Sequence, residues 1–134
     1  MSHPEHLRPY AVMLIEDDDI DAELLRLMLV RDLGAHDITW VRHLSDARRI
    51  LEDREFGAIV ADLELPDAKR LDVVEMCREV CPSALLIVIS GNEDDDLATA
   101  AIAHGADDFL VKRLLQPAQL RKAIKYALAR TRVA

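Results

Sequence analysis

The sequence predicts an α/β fold in which a doubly wound sheet of five parallel strands carries helices on both faces. Short apolar runs alternate five times with longer segments of helical periodicity. The first run, Tyr10–Ile15, is apolar throughout, as is typical of a strand buried on both faces. Strands that alternate with helices in this way form a parallel sheet, because each helix returns the chain to the same edge.

The predicted elements follow each other in regular order. Strands are predicted at Tyr10–Ile15, Asp37–Val41, Ala58–Ala61, Leu85–Ile89 and Phe109–Val111. Helices are predicted at Asp19–Leu33, from a Ser45 cap to near Arg54, at Asp72–Val80, at Asp94–Ala103, and from Pro117 toward Arg130. Gly34, Pro82 and Gly105 follow three of these helices and end them.

Composition excludes several classes of function. The chain has 134 residues, the size of one domain, and a formal net charge of −8, which a nucleic-acid backbone repels. Apolar runs such as Ala84–Ile89 fall far short of the roughly 20 residues of a membrane span. The first ten residues lack the apolar core of a signal peptide. We therefore expect a cytoplasmic protein that binds neither nucleic acid directly nor a membrane.

The two cysteines, Cys77 and Cys81, lie four residues apart in a predicted helical region. Their spacing to histidine fits no metal site, and a disulfide is not expected in a cytoplasmic protein. We expect both as reduced thiols on or near a helix face.

Polar side chains follow the ends of four predicted strands, where open parallel sheets bind their ligands. These residues are Glu16 to Asp19, Asp62, Ser90 and Lys112. Clustered carboxylates repel each other, and they become tolerable when a hard cation such as Mg²⁺ lies among them. A metal, an ammonium group and a hydroxyl around one carboxylate can handle a phosphoryl group, because that chemistry depends on positioning and charge neutralisation.

Each of these groups alone also fits an ordinary role. An acidic run is common at a helix N-terminus, where Asp18 or Asp19 would serve as the cap. Asp62 fits a turn, and Lys112 fits a solvated surface. The functional interpretation depends on all the strand ends acting together.

Four motifs make the chain resemble the receiver domains of response regulators. They are LIEDD (Leu14–Asp18), ADLELPD (Ala61–Asp67), IVISG (Ile87–Gly91) and GADDFLVK (Gly105–Lys112). The resemblance covers nearly the whole chain and implies a receiver domain over residues 10–131, with an extension at 1–9 and a tail at 132–134. It also implies a flavodoxin-like fold with strand order 2-1-3-4-5 and five helices.

The resemblance implies a role for each matched residue. Asp62 would accept a phosphoryl group from a histidine kinase or phosphotransfer protein. The Mg²⁺ cofactor would be bound by Glu16, Asp17, Asp62 and the backbone carbonyl of Glu64. Ser90 and Lys112 would contact the phosphoryl group, and Ser90 and Phe109 would form the conformational switch. Such a domain is a signalling module rather than an enzyme, since it catalyses only its own phosphorylation and dephosphorylation.

Two residues depart from the family pattern. Arg70 stands where glycine is usual, and a non-glycine residue disfavours a left-handed backbone, so we expect a reshaped loop. Arg113 follows Lys112 where proline is usual. A cis bond without proline costs about 2.5–4 kcal/mol, which leaves the Lys112–Arg113 geometry open.

The last predicted helix is rich in cations on an otherwise acidic protein: Arg121, Lys122, Lys125, Arg130 and Arg132. A solvated face with cations suited to a helix C-terminus is the simpler interpretation. A docking surface for a downstream effector or for a second subunit of a homodimer is the alternative.

Two other functions remain open from the sequence. Asp17 and Asp19 form a D-x-D pair, as in phosphatases with an aspartate nucleophile, although such enzymes usually have a longer chain. A receiver-like interaction module that does not use phosphorylation is the second alternative, favoured by Arg70 and Arg113. A flavodoxin-like cofactor binder is disfavoured, because no Ser/Thr/Gly-rich phosphate loop follows the first strand.

Overall fold

The computed structural model describes residues 11–35 and 37–133. The predicted N-terminal extension at 1–9 lies outside the described residues. Five parallel strands form one sheet in the order β2-β1-β3-β4-β5, which confirms the predicted topology. The strands are β1 (Ala11–Ile15), β2 (Asp37–Val41), β3 (Ala58–Asp62), β4 (Leu85–Ser90) and β5 (Asp108–Val111).

Five α-helices accompany the strands, as predicted, and two short helical segments extend them. The α-helices are α1 (Asp19–Met28), α2 (Leu44–Asp53), α3 (Arg70–Val80), α4 (Asp95–Ala103) and α5 (Pro117–Val133). The predicted first helix continues from α1 as a π-helical turn, Leu29–Leu33, and Gly34 ends it with a left-handed φ of 79°. A 3₁₀ turn, Lys112–Leu114, follows β5. Helix α5 includes Arg132 and Val133, the first residues of the predicted tail.

Two apolar layers enclose the sheet because successive residues of each strand point to opposite faces. On one face, Met13, Ile59 and Leu86 pack against α2, α3 and α4. On the other face, Leu14 and Ile87 pack against α1 and α5. Every described residue of β3 and β4 is buried, so these two strands form the centre of the domain.

Both cysteines are free and buried at the end of α3, as expected. Burial raises the pKa of the Cys77 thiol to about 12. In the described part of the chain, no helix is both long enough and apolar enough to cross a bilayer.

The predicted Ser45 cap of α2 is wrong. The helix begins at Leu44, so Ser45 lies within its first turn, and a distant carboxylate caps it. Asp67, in the loop after β3, accepts hydrogen bonds from the amides of Leu44 at 3.0 Å and Ser45 at 3.2 Å. Burial alone would raise the pKa of Asp67, but these amide hydrogen bonds lower it. The cap therefore ties the β3–α3 loop to helix α2.

Replacing Asp67 with alanine is expected to lower the free energy of unfolding by about 1 kcal/mol, the usual effect of losing an N-cap acceptor. Urea denaturation at pH 7 measures the difference. Because the folded-state pKa of Asp67 is depressed, the contribution should disappear as the pH falls through that value. Ser45→Ala is the matched control, and an equal loss in both variants would contradict the Asp67 cap.

Candidate functional site

The carboxyl ends of the central strands bring the predicted site residues to one edge of the sheet. Glu16 directly follows β1, and Asp62 and Ser90 are the last residues of β3 and β4. Lys112 directly follows β5. Because β3 lies between β1 and β4, Asp62 is placed at the middle of this edge.

Lys112 joins the acidic groups of the site. Its ammonium nitrogen lies 3.0 Å from Asp62 Oδ2, 2.9 Å from Glu16 Oε1 and 2.8 Å from Asp21 Oδ2. Burial alone would lower the pKa of Lys112, but these three carboxylates outweigh it and raise the pKa above its ordinary value. The lysine therefore stays charged and compensates a strongly acidic pocket.

Asp21 is a site residue that the sequence reasoning missed. It lies in the first turn of α1, two residues after the acidic run that ends at Asp19. Its closeness to that run was the available signal. The N-cap of the same helix is Asp18, whose side chain accepts a hydrogen bond from the Asp21 amide at 2.8 Å.

Glu16 is the most strongly perturbed acid of the site. Its side chain is fully buried, and burial raises its pKa to about 7, although the ion pair with Lys112 and a hydrogen bond from the Asp18 amide act in the opposite direction. Its Oε1 atom finds no well-directed hydrogen bond among the described residues, despite the nearby ammonium of Lys112. A buried carboxylate oxygen in this position is a ready ligand for a cation.

The acidic cluster fits a hard divalent cation. Glu16, Asp17 and Asp62 each offer a carboxylate oxygen, and these atoms lie within 4.8 Å of one another. Carboxylate oxygens are the ligands that Mg²⁺ prefers in proteins, with water completing the coordination. The Glu64 carbonyl stays a predicted ligand.

The side chain of Glu64 contacts the predicted switch residue. Its Oε2 accepts a hydrogen bond from the Ser90 hydroxyl at 2.8 Å, and its Oε1 accepts one from the Gly91 amide at 2.8 Å. The Glu64 amide in turn donates to Asp62 Oδ1 at 2.9 Å. The sequence reasoning assigned only the backbone of Glu64, so this side-chain bridge is new.

Phe109 is half-buried and packs against the core layer formed by α2, α3 and α4. Its role as a switch stays a prediction. Phe109 lies within β5, and Lys112 directly follows the strand, so one short segment carries both groups.

The two departures from the family pattern have structural accommodations. Arg70 is the first residue of α3, and among the described residues only glycines adopt a positive φ. Its guanidinium lies 3.7 Å from Glu64 Oε2 and 3.8 Å from Asp94 Oδ2. The Lys112–Arg113 bond is trans, and Arg113 pairs with Glu93 at 2.9 Å.

Asp19, the second carboxylate of the D-x-D pair, lies outside the cluster of Glu16, Asp17 and Asp62. Asp19 is exposed at the start of α1 and forms an ion pair with Arg42. The described metal-ligating cluster contains Asp17 but not Asp19. The geometry thus gives the D-x-D pair no shared site.

Comparisons with known proteins agree with this geometry. A family model for the response regulator receiver domain matches residues 12–125. The photosynthetic apparatus regulatory protein RegA of Rhodobacter capsulatus is 32% identical over 102 residues, which are 76% of this chain and 54% of RegA. The response regulator protein PilR of Pseudomonas aeruginosa is 33% identical over 116 residues, which are 86% of this chain and 25% of PilR.

A solved structure shares the fold closely. The solution structure of the beryllofluoride-activated NtrC4 receiver domain dimer superimposes with a TM-score of 0.80 at 25% identity, covering 90% of this chain and 98% of that one. The chain spans about a quarter of PilR and about half of RegA. The similarity to these two regulators is therefore a similarity to one part of each.

Proposed function

Because the chain belongs to the family of response regulator receiver domains, we propose that it takes a phosphoryl group onto Asp62 from a phosphohistidine of a histidine kinase or phosphotransfer protein. The observation that carries the proposal is the contact of Lys112 Nζ with Asp62 Oδ2 at 3.0 Å beside two further carboxylates. This arrangement leaves a nearly buried nucleophile between a fixed cation and a cluster of metal ligands.

The reaction transfers the phosphoryl group from a histidine nitrogen of the partner to a carboxylate oxygen of Asp62. A carboxylate oxygen of Asp62 forms a bond to phosphorus while the bond from phosphorus to the histidine nitrogen breaks, and the imidazole leaves with the bonding electron pair. Lys112 neutralises charge on the phosphoryl oxygens. Mg²⁺, bound by Glu16, Asp17 and Asp62, would supply further positive charge at the same oxygens. Water later hydrolyses the acyl phosphate.

The switch follows from the partners of Ser90. The Ser90 hydroxyl, which donates to Glu64, would exchange that carboxylate for a phosphoryl oxygen. Space vacated by Ser90 would admit the half-buried Phe109 ring. Helix α4 is suited to respond, since its only buried residues in the structure are Leu97 and Ala101, and few apolar contacts make an element easy to displace. A downstream effector or a second copy of the chain would read this change in the cytoplasm.

The test is phosphorylation by acetyl phosphate with Mg²⁺, followed by intact mass. We expect a gain of one phosphoryl group in the wild type, none in Asp62→Asn, and none when EDTA removes the metal. Beryllofluoride, which activates the NtrC4 receiver, serves as a stable probe of the same site. Equal labelling of wild type and Asp62→Asn would refute the acceptor assignment. Complete absence of labelling would favour the phosphorylation-independent interaction module.

A further inference from the structure

The end of the edge strand β2, together with the residue that follows it, holds the backbone of the acidic pair at three points. The Glu16 amide donates to the Val41 carbonyl at 3.0 Å. The indole N–H of Trp40 donates to the Glu16 carbonyl at 2.8 Å, and a guanidinium N–H of Arg42 donates to the Asp17 carbonyl at 3.2 Å. Consecutive peptide units of the β1–α1 loop are therefore held by three consecutive residues, the last two of β2 and the one that follows the strand.

The side chains of Trp40 and Arg42 also contact each other. The Arg42 guanidinium lies 4.5 Å from the centre of the Trp40 ring, within the range of a cation–π contact. Arg42 pairs in addition with Asp19 at the start of α1. Trp40 and Arg42 thus form one pair of contacting side chains between the end of strand β2 and the loop that carries Glu16 and Asp17.

Burial of the ring does not explain why a tryptophan lies here. Trp40 is 39% exposed on an edge strand, so much of its apolar surface remains in water. Its hydrogen bond is directed at a carbonyl between two candidate metal ligands. The hydrogen bond from the indole N–H to the Glu16 carbonyl explains the tryptophan at this position better than burial of its ring does.

Holding this backbone matters for the metal because the Asp17 side chain is exposed. The direction of its Cα–Cβ bond is set by the backbone of the loop. A loop already held in the liganding geometry loses less conformational freedom when a cation binds. Groups that orient metal ligands commonly change metal affinity without touching the ion.

We propose that Trp40 and Arg42 are positioning residues for the Glu16–Asp17 pair and that they set the affinity of this site for Mg²⁺. The inference rests on the metal binding in the proposed function. It adds Trp40, near the end of β2, and Arg42, directly after that strand, to the determinants of the site. In the sheet, β2 is the strand farthest from Ser90 and Lys112.

The experiment compares Mg²⁺ dissociation constants of the full chain by isothermal titration calorimetry, without any phosphoryl donor. Trp40→Phe removes the N–H and keeps a ring, and Arg42→Lys keeps the charge and loses the planar fork. Because neither change alters net charge, a change in affinity reports geometry rather than electrostatic attraction. We expect each variant to bind Mg²⁺ roughly three- to tenfold more weakly, the scale of one lost orienting hydrogen bond.

The chain offers a matched control at the other end of the same strand. Arg54 lies 4.2 Å over the Phe56 ring and pairs with Asp37, the first residue of β2, at 2.8 Å. Arg54→Lys therefore disturbs the same kind of contact far from the acidic pair. We expect its Mg²⁺ affinity to equal that of the wild type. Urea denaturation of each variant separates a loss of folding from a loss of metal affinity.

Trp40 also supplies a spectroscopic readout, since it is the only tryptophan in the sequence. Its emission should change on Mg²⁺ binding in the wild type, and Arg42→Lys should shift the midpoint of that titration. Wild-type affinity in both Trp40→Phe and Arg42→Lys would overturn this inference and leave the proposed function intact. A wild type that binds no Mg²⁺ would overturn the metal step and the inference with it.

Discussion

Replacing Lys112 with methionine is expected to lower the free energy of unfolding by about 2–4 kcal/mol at pH 8 in metal-free buffer, because removing one partner of a buried ion pair leaves the other uncompensated. The lysine lies within 3.0 Å of carboxylates on Glu16, Asp21 and Asp62. Glu16 and Asp62 are 0% and 3% exposed, so water cannot take over the role of the ammonium group. Urea denaturation of both proteins in EDTA measures the loss.

The loss should depend on pH in a defined direction. The folded-state pKa of Glu16 is about 7, above its ordinary value of 4.5. Between pH 4.5 and pH 7, this carboxyl therefore binds more protons in the folded protein than in the unfolded chain. Stability from this group therefore falls as the pH rises through that window. Removing Lys112 removes an ion pair that lowers the pKa of Glu16. We expect the deficit of the variant to be smaller at pH 5 than at pH 8.

Mg²⁺ should restore part of the lost stability, since a cation among the same carboxylates replaces the missing charge and stabilises the state that binds it. Lys125→Met, an exposed lysine on α5, is the control and should change the free energy of unfolding by less than about 0.5 kcal/mol. A Lys112→Met protein as stable as the wild type in EDTA at pH 8 would show that the lysine does not compensate these carboxylates.

The convergence of the site was predictable because it depends on topology. Asp62 and Lys112 are 50 residues apart in sequence, yet parallel strands place their carboxyl ends at one edge, and strand β3 lies at its centre. The continuous apolar runs located β3 and β4, both buried along their whole length. Glu16 could be placed for the same reason, as the first residue after β1.

The partners of the site residues were not predictable in the same way. Glu64 was assigned through its backbone, but its side chain bridges to Ser90 and Gly91, and only the packed loops determine where that side chain points. Asp21 reaches Lys112 across 91 residues of sequence. Such contacts depend on rotamers and loop conformations, for which a sequence pattern carries little information.

The cap of α2 shows why a local rule can fail. Ser45 satisfies the usual preference for a capping residue, but Asp67 lies within hydrogen-bond distance of both free amides at the helix start. A carboxylate from another loop replaced the local hydroxyl. The π-helical turn at Leu29–Leu33 was missed for a related reason, since its residues carry an ordinary helical pattern.

Replacing Arg78 with methionine is expected to lower the free energy of unfolding by about 2–4 kcal/mol, because several partly buried acceptors of one charged donor would lose their partner. Arg78 lies in α3, at the end of the sheet opposite the site, and its side chain is 22% exposed. Its guanidinium donates to the carbonyls of Gly105 at 2.5 Å, Pro82 at 3.1 Å and Ala84 at 2.6 Å. It also pairs with Asp107 at 2.9 Å.

This arginine joins three segments: the end of α3, the approach to β4 and the turn before β5. Asp107 accepts a hydrogen bond from the Leu86 amide with the same oxygen that pairs with Arg78, so the arginine also supports the start of β4. Gly105, with φ of 121°, leaves room for the aliphatic part of the Arg78 side chain, since a Cβ there would lie 2.6 Å from Arg78 Cγ. The glycine and the arginine therefore depend on each other.

Arg78→Lys separates charge from geometry. Lysine keeps the positive charge but has one ammonium group, which cannot reach acceptors on several sides as the planar guanidinium does. We expect it to recover less than half of the stability lost in Arg78→Met by urea denaturation. Arg49→Met, which removes only an exposed pair with Asp46, should cost less than about 0.5 kcal/mol. If Arg78→Lys had the same free energy of unfolding as the wild type, the positive charge next to Asp107 would be what stabilises this end of the sheet. The hydrogen bonds of the guanidinium to the three carbonyls would then contribute nothing.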